Sequence, residues 1–172
     1  MRKVLVIGAG GQIGTELVIR LREKLGAENA IAADIKPECP ASLEGGRYVQ
    51  MDVLDREAVR TFIIEEKISE VYLLAALLSA TAEKHPDFAW KLNMEGLFTI
   101  LDLAKEGYLK KIFWPSSIAV FGPTTPQNNT HRKEPSWNRV RFMEFPSKQE
   151  RDGANITITN MVLMCEVFVT QA

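Results

Sequence analysis

The segment Gly8-Ala9-Gly10-Gly11-Gln12-Ile13-Gly14 lies between a short apolar run and an amphipathic stretch, and few folds accommodate that order. The run before it, Val4-Leu5-Val6-Ile7, is wholly apolar, the pattern of a strand buried on both faces of a parallel sheet. After it, apolar residues recur at Ile13, Leu17, Val18, Leu21 and Leu25 with charged residues between them, which is helical spacing over Gln12 to Leu25. Strand, glycine turn and helix in succession place unhindered backbone at a helix N-terminus. There the free amides and the helix dipole favour an anion.

The pattern continues along the chain. Ala30 to Asp34 reads as a second strand, Tyr48 to Val53 as a third after a loop rich in Pro and Gly, and Asp55 to Lys67 as a helix. Val71 to Ala76 reads as a fourth strand, Pro86 to Lys105 as one long helix, and Lys111 to Pro115 as a fifth strand. Strands that alternate with helices over this length predict an α/β domain with a doubly wound parallel sheet.

On that frame the chemistry is specific. The glycine turn, from Gly8 through Gly11, Gln12 and Ile13 to Gly14, is expected to cradle a pyrophosphate. Asp34 ends the second strand, where a carboxylate can accept hydrogen bonds from a ribose 2′-hydroxyl and repel a 2′-phosphate. The expected cofactor is therefore NAD in preference to NADP. Asp52 and Val53 stand where a side chain and a backbone amide could meet the adenine, although Asp52 equally suits the cap of the following helix. Leu74, Ala75 and Ala76 end the fourth strand with small residues that would let the cofactor cross the carboxyl ends of the strands. Ser116 and Ser117 occupy the same end of the fifth strand, where a hydroxyl could reach a substrate oxygen or form a turn.

Composition narrows the class further. With a net charge of -1 and basic and acidic residues intermixed, the chain offers no basic stripe for nucleic acid. The few apolar residues before the first glycine are too short a run for a signal sequence or a membrane span, so the reading is a cytoplasmic protein with no membrane partner. Cys39 and Cys165 are far apart and form no metal-binding pattern, and His85 and His131 stand alone. They are read as plain thiols and structural or surface histidines, and no metal is expected.

Residues 1–130 resemble the N-terminal half of the extended short-chain dehydrogenase/reductase superfamily, the NAD-dependent epimerase/dehydratase group with a Rossmann fold. The resemblance rests on the spacing of Gly8, Gly11 and Gly14, on Asp34, Asp52-Val53 and Leu74-Ala75-Ala76, on Asn93 and Gly96 in Asn-x-x-Gly, and on Pro115-Ser116-Ser117. It adds Asn93 to the cofactor-binding residues. Within the group, Ala76-Leu77-Leu78-Ser79-Ala80 with Glu83, and Phe121-Gly122-Pro123-Thr124-Thr125-Pro126, look like bacterial L-threonine 3-dehydrogenases. Nucleotide-sugar epimerases usually carry Val-Tyr-Gly where this chain has Val120-Phe121-Gly122.

The resemblance implies oxidation of L-threonine to 2-amino-3-ketobutyrate, with a small-molecule substrate and hydride transfer to NAD. It places Ser116 and Ser117 at the catalytic Ser/Thr position and Ser79 on the substrate side. Proton transfer in such enzymes uses a Tyr-x-x-x-Lys pair, the lysine lowering the tyrosine pKa. The last tyrosine of this sequence is Tyr108, so neither member has a match. Family members commonly form homodimers through a contact that includes the catalytic helix, so dimerisation of this chain is not expected.

Beyond Thr130 the character changes. Residues 131–153 carry Arg132, Lys133, Arg139, Arg141 and Arg151 without periodicity, and residues 154–170 form a β-branched, Met-rich run. The genetic code offers an explanation. When the last base of each codon is read with the first two of the next, Phe142-Met143 gives Tyr or His, Met143-Glu144 gives Gly without choice, and Glu144-Phe145 gives Ile or Val. Phe145-Pro146 gives Ser or Pro, and Pro146-Ser147 permits Lys, so the hidden frame can read Tyr-Gly-Ile-Ser-Lys. The same operation on Trp137 to Val140 permits Glu-Pro-Ser-Thr, and Asn160 to Gln171 permits Tyr-Gly-Val-Asp-Val-Arg-Ser-Ile-Arg-Tyr-Pro-Gly. Residues from about His131 onward are thus read as an out-of-frame translation with poor order expected. Two other readings stand beside a threonine dehydrogenase: a nucleotide-sugar epimerase or dehydratase, and a non-catalytic NAD-binding pseudoenzyme.

Overall fold

The first strand is apolar at every position, and the second at all but its terminal Asp34, because both are buried along their whole length. The computed structural model describes residues 2–77, 79–115, 154–161 and 164–171. Strand β1 is Val4–Ile7, β2 is Ala30–Asp34, β3 is Tyr48–Gln50, β4 is Glu70–Leu73 and β5 is Lys111–Trp114. These five are parallel neighbours in the order β3-β2-β1-β4-β5, with Val4 beside both Ala30 and Glu70. The chain crosses from β3 past β2 and β1 to β4, so strand order reverses between β1 and β4. In open α/β sheets that is where ligands bind.

Helix α1 (Gln12–Leu25) covers one face of the sheet; Val18 and Leu21 meet Val4, Val6, Ala30 and Ala32 there. Helices α2 (Arg56–Glu65) and α5 (Gly96–Lys105) cover the other, where Val59, Ile63, Leu97, Ile100 and Leu103 pack on Leu5, Ile7 and Ile31. The period-2 alternation of a strand sends Val4 and Val6 to one core and Leu5 and Ile7 to the other. The doubly wound parallel sheet expected from the sequence is the architecture of β1 to β5 and the helices that cover them.

Several boundaries differ from the expectation. The third strand ends at Gln50 because the chain turns at Val53-Leu54, and the fourth ends at Leu73, leaving Leu74 to Leu77 without regular structure. The second helix starts at Arg56 with Asp55 as its N-cap, the carboxylate accepting from the Ala58 amide at 3.0 Å. Asp52 is therefore not that cap. It serves a local turn instead, accepting from the Leu54 amide at 2.9 Å.

The long helix expected over residues 86–105 consists of α4 (Pro86–Trp90), a π-helical turn (Lys91–Glu95) and α5, with the short helix α3 (Ser79–Ala82) ahead of it. A π turn inserts a residue into the helical repeat, and such insertions gather at functional sites. In the region given no regular structure by the sequence reading, β6 (Ala154–Met161) and β7 (Met164–Gln171) form an antiparallel hairpin. Strand β7 pairs antiparallel with β5, extending the sheet to β3-β2-β1-β4-β5-β7-β6. Ile156 to Thr159, Val167, Val169 and Thr170 are β-branched, the residue type that suits strands.

Candidate functional site

The carboxyl ends of β1, β2 and β4 converge on the glycine turn. Gly8 adopts φ +88°, and a Cβ on it would lie 2.5 Å from the Ala75 nitrogen. Only glycine serves there. Gly14 is equally constrained, since a Cβ would collide with the Gly8 carbonyl oxygen and come within 2.8 Å of the Ala9 Cα. Helix α1 can therefore start directly against the turn. At Gly11 the situation is different: a Cβ would meet only the Gly8 oxygen at 3.5 Å, an ordinary contact. Internal packing therefore does not demand glycine at that position.

Several backbone groups of the turn are bonded internally. The Thr15 hydroxyl donates to the Ala9 oxygen at 3.0 Å, the Gly11 amide to the Gly8 oxygen at 3.3 Å, and the Gly8 and Ala9 amides to the Ala33 oxygen at 2.9 and 3.0 Å. What remains at the mouth is the start of α1, with Gly11 as N-cap, no side-chain cap and no acidic residue in its first turn. The first amides of a helix lack intrahelical acceptors, so this surface carries positive potential. Gln12 is exposed beside it. Ile13 is 71% exposed, which corrects the sequence reading of Ile13 as part of the core face of α1. The helix turns Ile13 toward solvent because the buried stripe begins at Gly14 and continues through Val18 and Leu21.

Asp34 is buried, at 9% exposure, yet both carboxylate oxygens are engaged. Oδ2 accepts from the Gly10 amide at 2.8 Å, and Oδ1 accepts from the Lys36 amide at 3.2 Å. A carboxylate offers about four acceptor sites, so about one remains on each oxygen. Two vicinal hydroxyls match that remainder, and a phosphate, which needs donors, does not.

The next residues were not singled out from the sequence. Ile35 is 61% exposed beside Asp34, an apolar surface that could face a base. Tyr48 donates from its hydroxyl to the Lys36 oxygen at 2.7 Å, and Gln50 Nε2 donates to the Ile35 oxygen at 3.2 Å. Burial, followed by the neighbouring Asp34 and Cys39, raises the Tyr48 pKa above 10.0. No motif signals such contacts; only the pairing of Asp34 with Gln50 across β2 and β3 creates them.

Other anticipated residues fall around this centre. Asp52 is exposed just past the end of β3, while Val53 is buried, its side chain against Gly96. The Leu74 and Ala75 amides both donate to the Ile7 oxygen, at 2.8 and 3.1 Å, which fastens their loop across β1. Ala76 beyond them is exposed. Asn93, on the π turn, accepts from the Leu77 amide at 2.9 Å and donates to the Leu77 oxygen at 3.3 Å. It thereby holds the far end of the same loop. Ser79 lies at the start of α3, while Ser116 and Ser117 lie outside the described residues.

Among the described residues no group of three or more His, Cys, Asp and Glu could hold a metal, and no helix is long and apolar enough to cross a membrane.

A parallel sheet with a glycine turn at its switch point and an acidic end to β2 defines a dinucleotide-binding α/β protein. Residues 4–140 match the NAD dependent epimerase/dehydratase family, and the chain belongs to that family. An uncharacterized epimerase/dehydratase of Staphylococcus saprophyticus is 47% identical over 131 residues, covering 76% of this chain and 41% of the relative. A GalE-like L-threonine dehydrogenase from Cupriavidus necator, solved in its holo form, is 46% identical with a TM-score of 0.68, covering 72% of this chain and 40% of that one. The L-threonine dehydrogenase of Clostridium difficile is 39% identical with a TM-score of 0.69, covering 79% and 44%. The chain thus spans about two fifths of the length of these proteins. The NAD cofactor expected from the sequence is the cofactor of the family.

Proposed function

We propose that this chain binds NAD at the carboxyl ends of β1, β2 and β4, and that its gene belongs to an L-threonine 3-dehydrogenase. The observation that carries the reading is the Asp34 carboxylate, fixed by Gly10 and Lys36 with one acceptor site per oxygen left over, beside a helix N-terminus with space at Gly11. That combination fits an adenosine ribose diol next to a pyrophosphate.

In this reading Gly8, Gly11, Gln12, Ile13 and Gly14 take the pyrophosphate, and Asp34 takes the ribose. Asp52, the Val53 backbone and Ile35 surround the adenine. Leu74, Ala75 and Ala76 form the floor toward the nicotinamide, and Asn93 keeps that floor in place through Leu77. NAD, when bound, supplies a hydride acceptor. Ser116 and Ser117 hold the hydroxyl of L-threonine, and Ser79 contacts the substrate. The Tyr-x-x-x-Lys pair lies in the shifted frame at Phe142 to Ser147, so the chain as written binds the cofactor without turnover.

The substrate assignment rests on the Ala76 to Glu83 and Phe121 to Pro126 segments together with 46% and 39% identity to threonine dehydrogenases. The test is a gene in which the frame is restored by one base near the Thr130 codon. Its product is expected to reduce NAD with L-threonine and to leave UDP-sugars unchanged. Turnover of a UDP-sugar with no response to L-threonine would replace this reading with an epimerase.

A further inference from the structure

The peptide group between Ile35 and Lys36 is gripped at both ends. Its carbonyl oxygen accepts from Gln50 Nε2 at 3.2 Å, and its N–H donates to Asp34 Oδ1 at 3.2 Å. The next carbonyl, that of Lys36, accepts from the Tyr48 hydroxyl at 2.7 Å. Tyr48 and Gln50 are alternate residues of β3 and therefore project from one face of it. From that face they reach consecutive carbonyls of the loop leaving β2.

We infer that Gln50 is a positioning residue for dinucleotide selection, acting on the Asp34 carboxylate through the Ile35–Lys36 peptide, and that Tyr48 supports it by holding the same loop at the carbonyl of the next peptide. The inference rests on the NAD-binding reading above and adds to it two residues that touch no cofactor themselves. In a hydrogen-bonded chain each link polarises the next, so a donor on the Ile35 oxygen makes the Lys36 N–H a stronger partner for Oδ1. The Gly10 amide fixes the other oxygen at 2.8 Å. With both oxygens held, the carboxylate cannot swing, and its remaining acceptor sites stay aimed outward for a pair of hydroxyls. Released from Lys36, it pivots about the Gly10 contact. It then loses alignment with a ribose diol but still repels a 2′-phosphate in either orientation.

The difference in sensitivity is the readout. Fluorescence titration of the full chain with NADH and NADPH, for the unaltered protein, Gln50→Leu, Tyr48→Phe, Asp34→Ala and the Asp34→Ala/Gln50→Leu double variant, tests it. Losing one such hydrogen bond is expected to weaken NADH binding about threefold to tenfold, while NADPH binding changes by less than about twofold. In the Asp34→Ala background, Gln50→Leu is expected to have no effect on NADH, because the two residues act in series. Equal weakening of both dinucleotides, or a Gln50→Leu effect that persists without Asp34, would overturn the inference and leave NAD binding standing. An unaltered chain that binds neither dinucleotide would overturn both.

Discussion

At residue 14 a single methyl group separates a working turn from a blocked one. An alanine there meets the Gly8 carbonyl and the Ala9 Cα, both backbone and neither able to rotate away. Gly14→Ala is expected to cost about 1–3 kcal/mol in a urea melt, as overpacking does, and to abolish NADH binding by displacing α1 from the turn. At residue 34 the chemistry is charge. Asp34→Ser keeps an acceptor and removes the repulsion, so the preference for NADH over NADPH is expected to fall at least about tenfold in paired titrations. Comparable affinities in the unaltered chain would contradict the assignment of Asp34. Both residues were legible in the sequence because their demands are local: a turn that admits no Cβ and an acid that ends a strand. Asn93 was legible only as part of a family pattern. Its partner Leu77 is far from it in sequence, and the π turn that aims the amide is a property of the folded helix.

Helices and strands carry their own predictions. Asp55, not Asp52, caps α2, so Asp55→Ala is expected to cost about 1 kcal/mol of stability without altering NADH affinity, while Asp52→Ala leaves the melt nearly unchanged. Urea denaturation of the two variants separates them. At the opposite end of α2, Glu66 receives Lys3 Nζ at 2.5 Å and Arg47 at 2.7 Å. Hydrogen bonds from Lys3, then from Arg47, hold its pKa below the ordinary 4.5. A carboxylate whose folded pKa is depressed stabilises the protein above its unfolded value, and that contribution disappears as pH falls through the folded value. The melting temperature is therefore expected to drop below about pH 4.5 more steeply in the unaltered chain than in Glu66→Gln, by paired thermal melts across pH 3 to 6.

At the same scale, the types of the first five strands and of the main helices were readable from periodicity. The ends of β3 and β4 were not, since where a parallel strand stops depends on its neighbours. Among the described residues, Tyr48 to Gln50 pairs only with β2.

For the molecule as a whole, strand order decides where ligands can sit. The proposed cofactor residues with described side chains belong to β2, the loops that follow each of β1 to β4, the first turn of α1 and the π turn, whereas β7 touches the parallel sheet at β5. A chain ended after Thr130 is accordingly expected to bind NADH within about twofold of the full chain, because the pairing of β7 lies two strands from the glycine turn. Loss of binding on that deletion would show that the hairpin supports the site. The nucleotide sequence around the Thr130 codon is the direct check on the reading frame. Codons that fail to spell Tyr-Gly-Ile-Ser-Lys one base earlier over Phe142 to Ser147 would remove that explanation of the tail.

By itself the sequence determined the alternation of strand and helix, the glycine turn, the acid at the end of β2 and the family to which these belong. Each is written in short-range pattern, where spacing and residue type act within a few positions. Only the tertiary structure decided that Gly8 lies against Ala75, that Gly10 and Lys36 share the Asp34 carboxylate, that Asn93 grips Leu77, and that Gln50 stands behind the Ile35–Lys36 peptide. Those contacts join residues distant in sequence, and they exist because β2 and β3 pair in one register and because β1 lies between β2 and β4. Register and strand order are settled by burying both faces of the sheet at once, which no single segment of the chain encodes.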